Sequence, residues 1–186
     1  MALGSTVYKA ELSVADIGRG YYAEHILALA RHPSETEERL MVRLLAFALH
    51  AHTDLRFGRG ISTEDEPDLW QKDATGVIDQ WIDVGLPDER SVRKACGRAG
   101  RVVVLAYGGR KLDIWWQQSA AALARHTNLE VITVSPEETA QLAALAQRSM
   151  RLSCTVQEGS AWIGSDRSGC SVEPKYLQRA ADERGQ

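Results

Sequence analysis

Asp68 and Asp83 are the side chains with which this sequence could best do chemistry. They flank an Asp73-Ala74-Thr75-Gly76 turn in the stretch "EPDLWQKDATGVIDQWIDVG", which reads as two antiparallel strands. From Val77 to Gly85 the residues alternate. Ile78, Ile82 and Val84 fall to one side, and Asp79, Trp81 and Asp83 to the other. Aspartate is a poor strand former, and a tryptophan between two of them is an odd choice for a plain wet surface. A third acid, Glu38, lies on a helical wheel among Met41, Val42, Leu44, Leu45, Ala48 and Leu49. If it points inward it needs a cation, a donor or a raised pKa; the other geometry is an acid at the arc's edge reaching water. Two carboxylates on paired strands and one on a nearby helix would offer oxygen ligands to Mg²⁺ or Mn²⁺, with room for water. Asp79 shares the face of Asp83, so the hairpin register decides whether Asp68 or Asp79 is the second ligand.

The elements that must hold these groups follow from periodicity and turn chemistry. "STVYKAELSVAD" and "YYAEHILALARH", separated by Gly18, Arg19 and Gly20, predict an N-terminal antiparallel hairpin. Pro33 and a Ser34…Glu37 capping box open a helix that runs to about Ala51, with Glu35, Arg39 and Arg43 paired on its outer surface. "LRFGRGIS" is a short strand, "STEDEP" a loop, and the acid-bearing hairpin comes next. Val92, Ala95, Cys96 and Ala99 mark a helix face, and "RVVVLAYGG" a buried strand. A helix with Leu112, Trp115, Trp116 and Leu123 inward follows, then the strand "LEVITVS" and a helix opened by Ser135, Pro136 and the capping Glu138. "MRLSCTVQEGSAWIGSDRSGCSVEP" adds C-terminal antiparallel strands, and residues 179–186 read as a frayed end. The prediction is one α/β domain over residues 1–186, a mixed sheet flanked by helices.

A net charge of −3 over 186 residues conceals a polarised chain. Glu64 to Glu89 carries nine acids against one base, Lys72, whereas Arg90 to Lys111 carries seven bases and no acid. A site for a cation and a phosphate together would need such neighbours; two solvated surfaces that pair with each other would look the same. There is no apolar run long enough for a membrane span and no targeting or lipidation signal, so a soluble cytoplasmic protein is expected. Cys96, Cys154 and Cys170 have no metal-ligand spacing and read as structural thiols. His50 and His52 face different ways on a helix, and His32 beside Pro33 reads as a contact at the helix start. Trp115 and Trp116 read as packing; Trp70 and Trp81, on the acid-bearing hairpin, could pack or stack on a nucleobase.

The order helix with Glu, strand, strand with Asp, strand with acid, helix, strand is that of the αβββαβ core of the PD-(D/E)XK nuclease-like fold. The chain also resembles the YaeQ family of bacterial proteins. The likeness lies in "ARHPSETEERLMVRLLAFALHA" from Ala30 to Ala51, "STEDEPDLW", "IDQWIDVGLPDERSVRKA" and "LDIWWQQ", and weakens towards both ends. YaeQ proteins are considered a divergent branch of the PD-(D/E)XK superfamily, and the resemblance implies that Glu38, Asp68 and Asp83 take the places of its three acids. The superfamily lysine, two residues after the second acid, is Gly85 here. Lys94, with Arg90 one turn before it, is the candidate to supply that cation from the next helix, and Gly85 would leave room for it. The expected function is Mg²⁺-dependent hydrolysis of DNA or RNA phosphodiesters. Asp68 and Asp83 would bind metal, with Glu38 completing the shell and Lys94 acting on water or phosphate, while Arg90, Arg93 and Arg98 would hold the nucleic acid. The alternatives are a catalytically silent nucleic-acid-binding or transcription-associated module, and a protein-interaction domain.

Overall fold

Strands β1 (Thr6–Asp16) and β2 (Tyr21–Arg31) pair along their whole length, and β1 buries every second residue, Tyr8, Ala10, Leu12 and Val14. This computed structural model describes residues 4–59 and 65–181. Helix α1 (Glu37–Leu49) is followed by β3 (Leu55–Phe57), β4 (Leu69–Lys72), β5 (Ile78–Val84), α2 (Glu89–Cys96) and β6 (Ala99–Ala106). Next come α3 (Arg110–Leu123), β7 (Leu129–Thr133), α4 (Pro136–Ala143), β8 (Ser149–Gln157), β9 (Ser160–Gly164), β10 (Gly169–Val172) and β11 (Lys175–Gln178).

These strands make two mixed sheets among the described residues, where one was expected. The first is ordered β10-β9-β8-β1-β2, with β8 parallel to β1; the second is β11-β7-β6-β5-β4-β3, with β5, β6 and β7 parallel. Alternation in β1 and β8 shows which residues face inward but not which strand lies alongside, so so distant a parallel pairing left no local trace. The tail also divides: β8, β9 and β10 form an antiparallel run in the first sheet, while β11 closes the second beside β7. Beyond it Ala180 is buried, and the Ala181 N–H donates to the Thr127 carbonyl.

Helix α1 packs in the layer between the two sheets, with α4 against it. Every residue from Leu40 to Ala48 is therefore buried, Arg43 included, as expected of a helix covered on all sides. Its N-cap is Thr36, whose hydroxyl accepts from the Arg39 N–H; the expected Ser34…Glu37 box does not form. Ser34 instead contacts the His32 ring, and Glu37 accepts from the Tyr8 hydroxyl. The Ser135–Glu138 capping box of α4 forms as read. Helices α2 and α3 cover the opposite face of the second sheet through Val92, Ala95, Leu123 and the partly buried Trp115 and Trp116.

The alternation expected in β5 breaks at Asp79. Gln71 pairs with Gln80 but Lys72 with Ile78, so one β5 residue is extra. Across this bulge Ile78 joins Trp81 on the α2 side, while Ile82 and Val84 face α1.

Candidate functional site

The bulge leaves Asp79 exposed, away from Asp83, while the register at the other end of the hairpin holds Asp68 close to it. Leu69 pairs with Ile82, so one step on Asp68 stands across from Asp83, and the Val84 N–H donates to Asp68 Oδ2 at 2.8 Å. Both acids lie at the carboxyl end of β5, where its parallel neighbour β6 gives way to antiparallel β4 on the other side. A pocket of about 730 Å³ opens there, lined among others by Arg39, Asp68, Trp81, Asp83, Arg90 and Lys94. Asp83 accepts from the Trp81 indole N–H at 2.9 Å. Burial nonetheless pushes its pKa up to about 6; the Trp81 bond works against this and the neighbouring charge of Asp68 works with it. Asp83 is thus a group that exchanges a proton near neutrality, next to a carboxylate tied into hydrogen bonds.

The partner of Asp68 is Arg39. One guanidinium nitrogen, Nη2, donates to Asp68 Oδ1 at 2.8 Å and Oδ2 at 2.9 Å, and reaches the Val84 carbonyl at 3.2 Å. The other, Nη1, donates to Glu35 Oε1 at 3.0 Å. Glu35 is buried, not on the surface as expected, and also accepts from Arg43 Nε at 2.8 Å, Arg43 Nη2 at 3.0 Å and the His32 N–H at 3.3 Å. Arg43, Glu35, Arg39 and Asp68 form one charge chain from between the sheets to the pocket floor. Burial opposes the charge on Arg39, but Asp68 and Glu35 outweigh it and raise its pKa. The sequence does hold a signal for this: Arg43 interrupts an otherwise apolar run from Leu40 to Leu49, and a buried guanidinium demands an acid within reach.

Glu38 is drawn elsewhere. It is half-buried as its wheel position implied, but its Oε1 accepts from the Thr139 hydroxyl of α4 at 2.6 Å, and it does not line the pocket. Of the acids expected to share a cation, the structure brings Asp68 and Asp83 together and leaves Glu38 and Asp79 apart. No cluster of three His, Cys, Asp or Glu side chains suited to a metal occurs among the described residues. The seat between Asp68 and the Val84 carbonyl, where oxygens converge, holds the Arg39 nitrogen. In this arrangement the donors do not fit a divalent ion.

Lys94 does line the pocket, and its ammonium pairs with Asp65. Arg98 donates to the Asp65 carbonyl at 3.2 Å and lies over the Trp81 ring, 5.3 Å from its centroid. The acidic and basic blocks thus meet within the chain, and Lys94 and Arg98 fasten the loop before Asp68 to α2. Arg90 and Arg93 are exposed on α2, with Arg90 at the pocket rim. Gly85 has φ +113°, a backbone that side-chain-bearing residues resist, and beyond its own chain neighbours nothing lies within 4 Å of where its Cβ would be. Its conformation, more than room for an incoming lysine, explains the glycine.

The aromatic, histidine and cysteine side chains are engaged within the fold. Trp81 is buried and meets Trp70 edge-on at 6.2 Å, and the Trp115 indole donates to the Pro87 carbonyl at 2.8 Å. His32 contacts Ser34 at the start of α1. All three cysteines are free, and burial raises each thiol pKa, to about 11 for Cys96 and about 12 for Cys154. No helix among the described residues is long and apolar enough to cross a membrane.

Fold and site together define a two-sheet α/β protein with an arginine-bound acid pair in a pocket at the carboxyl end of β5. The chain belongs to the YaeQ family: residues 1–174 match the family described as YaeQ protein. It is 43% identical over 172 residues to YaeQ of Escherichia coli (strain K12), covering 92% of this chain and 95% of that one. With YaeQ of Salmonella typhi it shares 44% over 173 residues, 93% and 96% of the two chains. The crystal structure of the YaeQ protein from Xanthomonas axonopodis pv. citri superposes with a TM-score of 0.91 at 51% identity, covering 94% of this chain and 98% of that one. That from Pseudomonas syringae gives 0.90 at 36%, covering 95% and 98%.

Proposed function

We propose that this protein binds the phosphodiester backbone of nucleic acid at the Asp68–Asp83 pocket, as a PD-(D/E)XK-like domain that uses a protein cation where a nuclease would use a metal. The supporting observation is Arg39 Nη2, which sits on both Asp68 oxygens and the Val84 carbonyl. A floor of two bare carboxylates would repel phosphate. Arg39 offsets Asp68, and below pH about 6 Asp83 is largely protonated, so the floor is close to neutral there. The charge a strand meets is then that of Arg90 and Arg93, exposed on α2, since Lys94 is already paired with Asp65. The test is fluorescence anisotropy with labelled single- and double-stranded DNA and RNA, in EDTA and in Mg²⁺. The expected result is metal-independent binding that weakens with salt. No binding to any of the four, or salt-insensitive binding, removes nucleic acid as the ligand.

A second reading, Mg²⁺-dependent hydrolysis, is favoured by one observation: Asp68 and Asp83 stand opposite each other and line the same pocket as Lys94. It requires Arg39 to leave Asp68 and Lys94 to leave Asp65. Cleavage in the Mg²⁺ arm of the same assay, lost in both Asp83→Asn and Lys94→Ala, would select it.

A further inference from the structure

The first sheet ends in an edge unlike those natural proteins usually leave open. β2 is eleven residues long and pairs with β1 on one side; among the described residues no strand pairs with the other. Exposed edges of this length are normally blunted by proline, bulges or lysine. The sequence "YYAEHILALAR" has none of these, and its pairing with β1 runs without a register shift. Its midpoint, Ile26, is 91% exposed, with Tyr22 on the same outward face at 67%. Along the edge runs a groove of about 400 Å³, lined by His25 to Ala28 on one side and by Phe47, Leu55 and Phe57 on the other.

We propose that two copies of this chain pair through their β2 edges, antiparallel about a twofold axis at Ile26, joining the two five-stranded sheets into one of ten. The strand is complementary to itself in this register. On the outward face Ile26 meets Ile26, Glu24 meets Ala28 and Tyr22 meets Ala30; on the inward face His25 meets Leu27 and Tyr21 meets Arg31. No like charges oppose one another, and the only acid of the strand faces an alanine. The edge amides and carbonyls that β1 leaves open find partners, apart from the Ala30 carbonyl, which already accepts from Arg43 Nη2 at 2.9 Å, and inward Leu27 of the second copy covers the groove beside Phe57.

Sedimentation equilibrium of the full chain tests it, with Ile26→Glu and Ile26→Cys as variants; Ile26 is 91% exposed, so both should fold as wild type does, which circular dichroism checks. Wild type should dimerise, and Ile26→Glu, which sets two carboxylates face to face, should weaken the dimer ~10-fold or more. Ile26→Cys should form a disulfide-linked dimer on mild oxidation, because directly opposed residues of an antiparallel pair lie within disulfide reach. A wild type that stays monomeric at ~100 μM overturns the proposal, since a physiological dimer should populate there. So does a dimer that Ile26→Glu leaves intact and Ile26→Cys does not cross-link. An edge reserved for a strand of another protein would give the monomeric result.

Discussion

Arg39 reaches from α1 across 29 positions of sequence to hold both oxygens of Asp68, at 2.8 and 2.9 Å. The same nitrogen also touches the carbonyl of Val84, the residue after Asp83. The acid pair therefore comes with its own counter-ion, supplied by a helix that is anchored between two sheets through Glu35 and Arg43.

Removing that counter-ion should be costly. Arg39→Met leaves a mostly buried Asp68 without its cation, and urea unfolding should show a loss of about 3 kcal/mol. Asp68→Asn in the Arg39→Met background should recover part of it, because the stranded charge is gone. Equal losses in the single and double variants would mean that Arg39 acts through packing alone.

Two buried groups should tilt stability in opposite directions over the same pH range. The Asp83 pKa is raised from 3.8 to about 6, so in that window the folded chain holds a proton the unfolded chain has released. Its contribution is full below 3.8 and fades as pH rises through about 6. His50 is the reverse. Burial lowers its pKa from 6.5 to about 3, with Arg101 adding to the effect, so its contribution is full above 6.5 and fades as pH falls towards 3. Asp83→Asn should be more stable than wild type by about 3 kcal/mol at pH 8, with the gain vanishing near pH 4. His50→Gln should lose less stability than wild type on going from pH 7 to pH 4. Thermal or urea unfolding across that range checks both signs, and a gain for Asp83→Asn that grows on acidification would refute the first.

The order of elements, the α4 capping box, the acid-bearing hairpin and the packing roles of Trp115 and Trp116 were legible because each has a local cause: periodicity, turn residues or caps. The pairing of Asp68 with Asp83 was half legible: the turn from Asp73 to Gly76 brings the two strands together, but the register that sets Asp68 rather than Asp79 across from Asp83 was left open by the sequence. Three things were not legible. The bulge at Asp79 is a defect in pairing that alternation hides, and it sent Asp79 and Ile78 to unexpected sides. The second sheet depends on β1 meeting β8, far along the chain. The wheel placed Glu38 inward but treated Glu35 as surface, because a wheel assumes one buried face and α1 is covered on both. Once that is known, Arg43 in the apolar run points straight to Glu35.

If α2 provides the contact with nucleic acid, affinity should depend on salt through its exposed cations. Arg90→Ala and Arg93→Ala should each lower the slope of log K against log salt by about 1, with little change in stability because both side chains face solvent. The same slopes in wild type and both variants would place the contact elsewhere.

In the function proposed above, a guanidinium and not a metal ion serves the acid pair. Manganese binding followed by electron paramagnetic resonance addresses it most directly, using wild type, Asp68→Asn and Asp83→Asn at pH 7.5. With Arg39 seated on Asp68, all three proteins should leave Mn²⁺ free in solution to the same extent. Stoichiometric Mn²⁺ binding by wild type that is lost in both variants would instead make the pocket a metal site from which Arg39 withdraws.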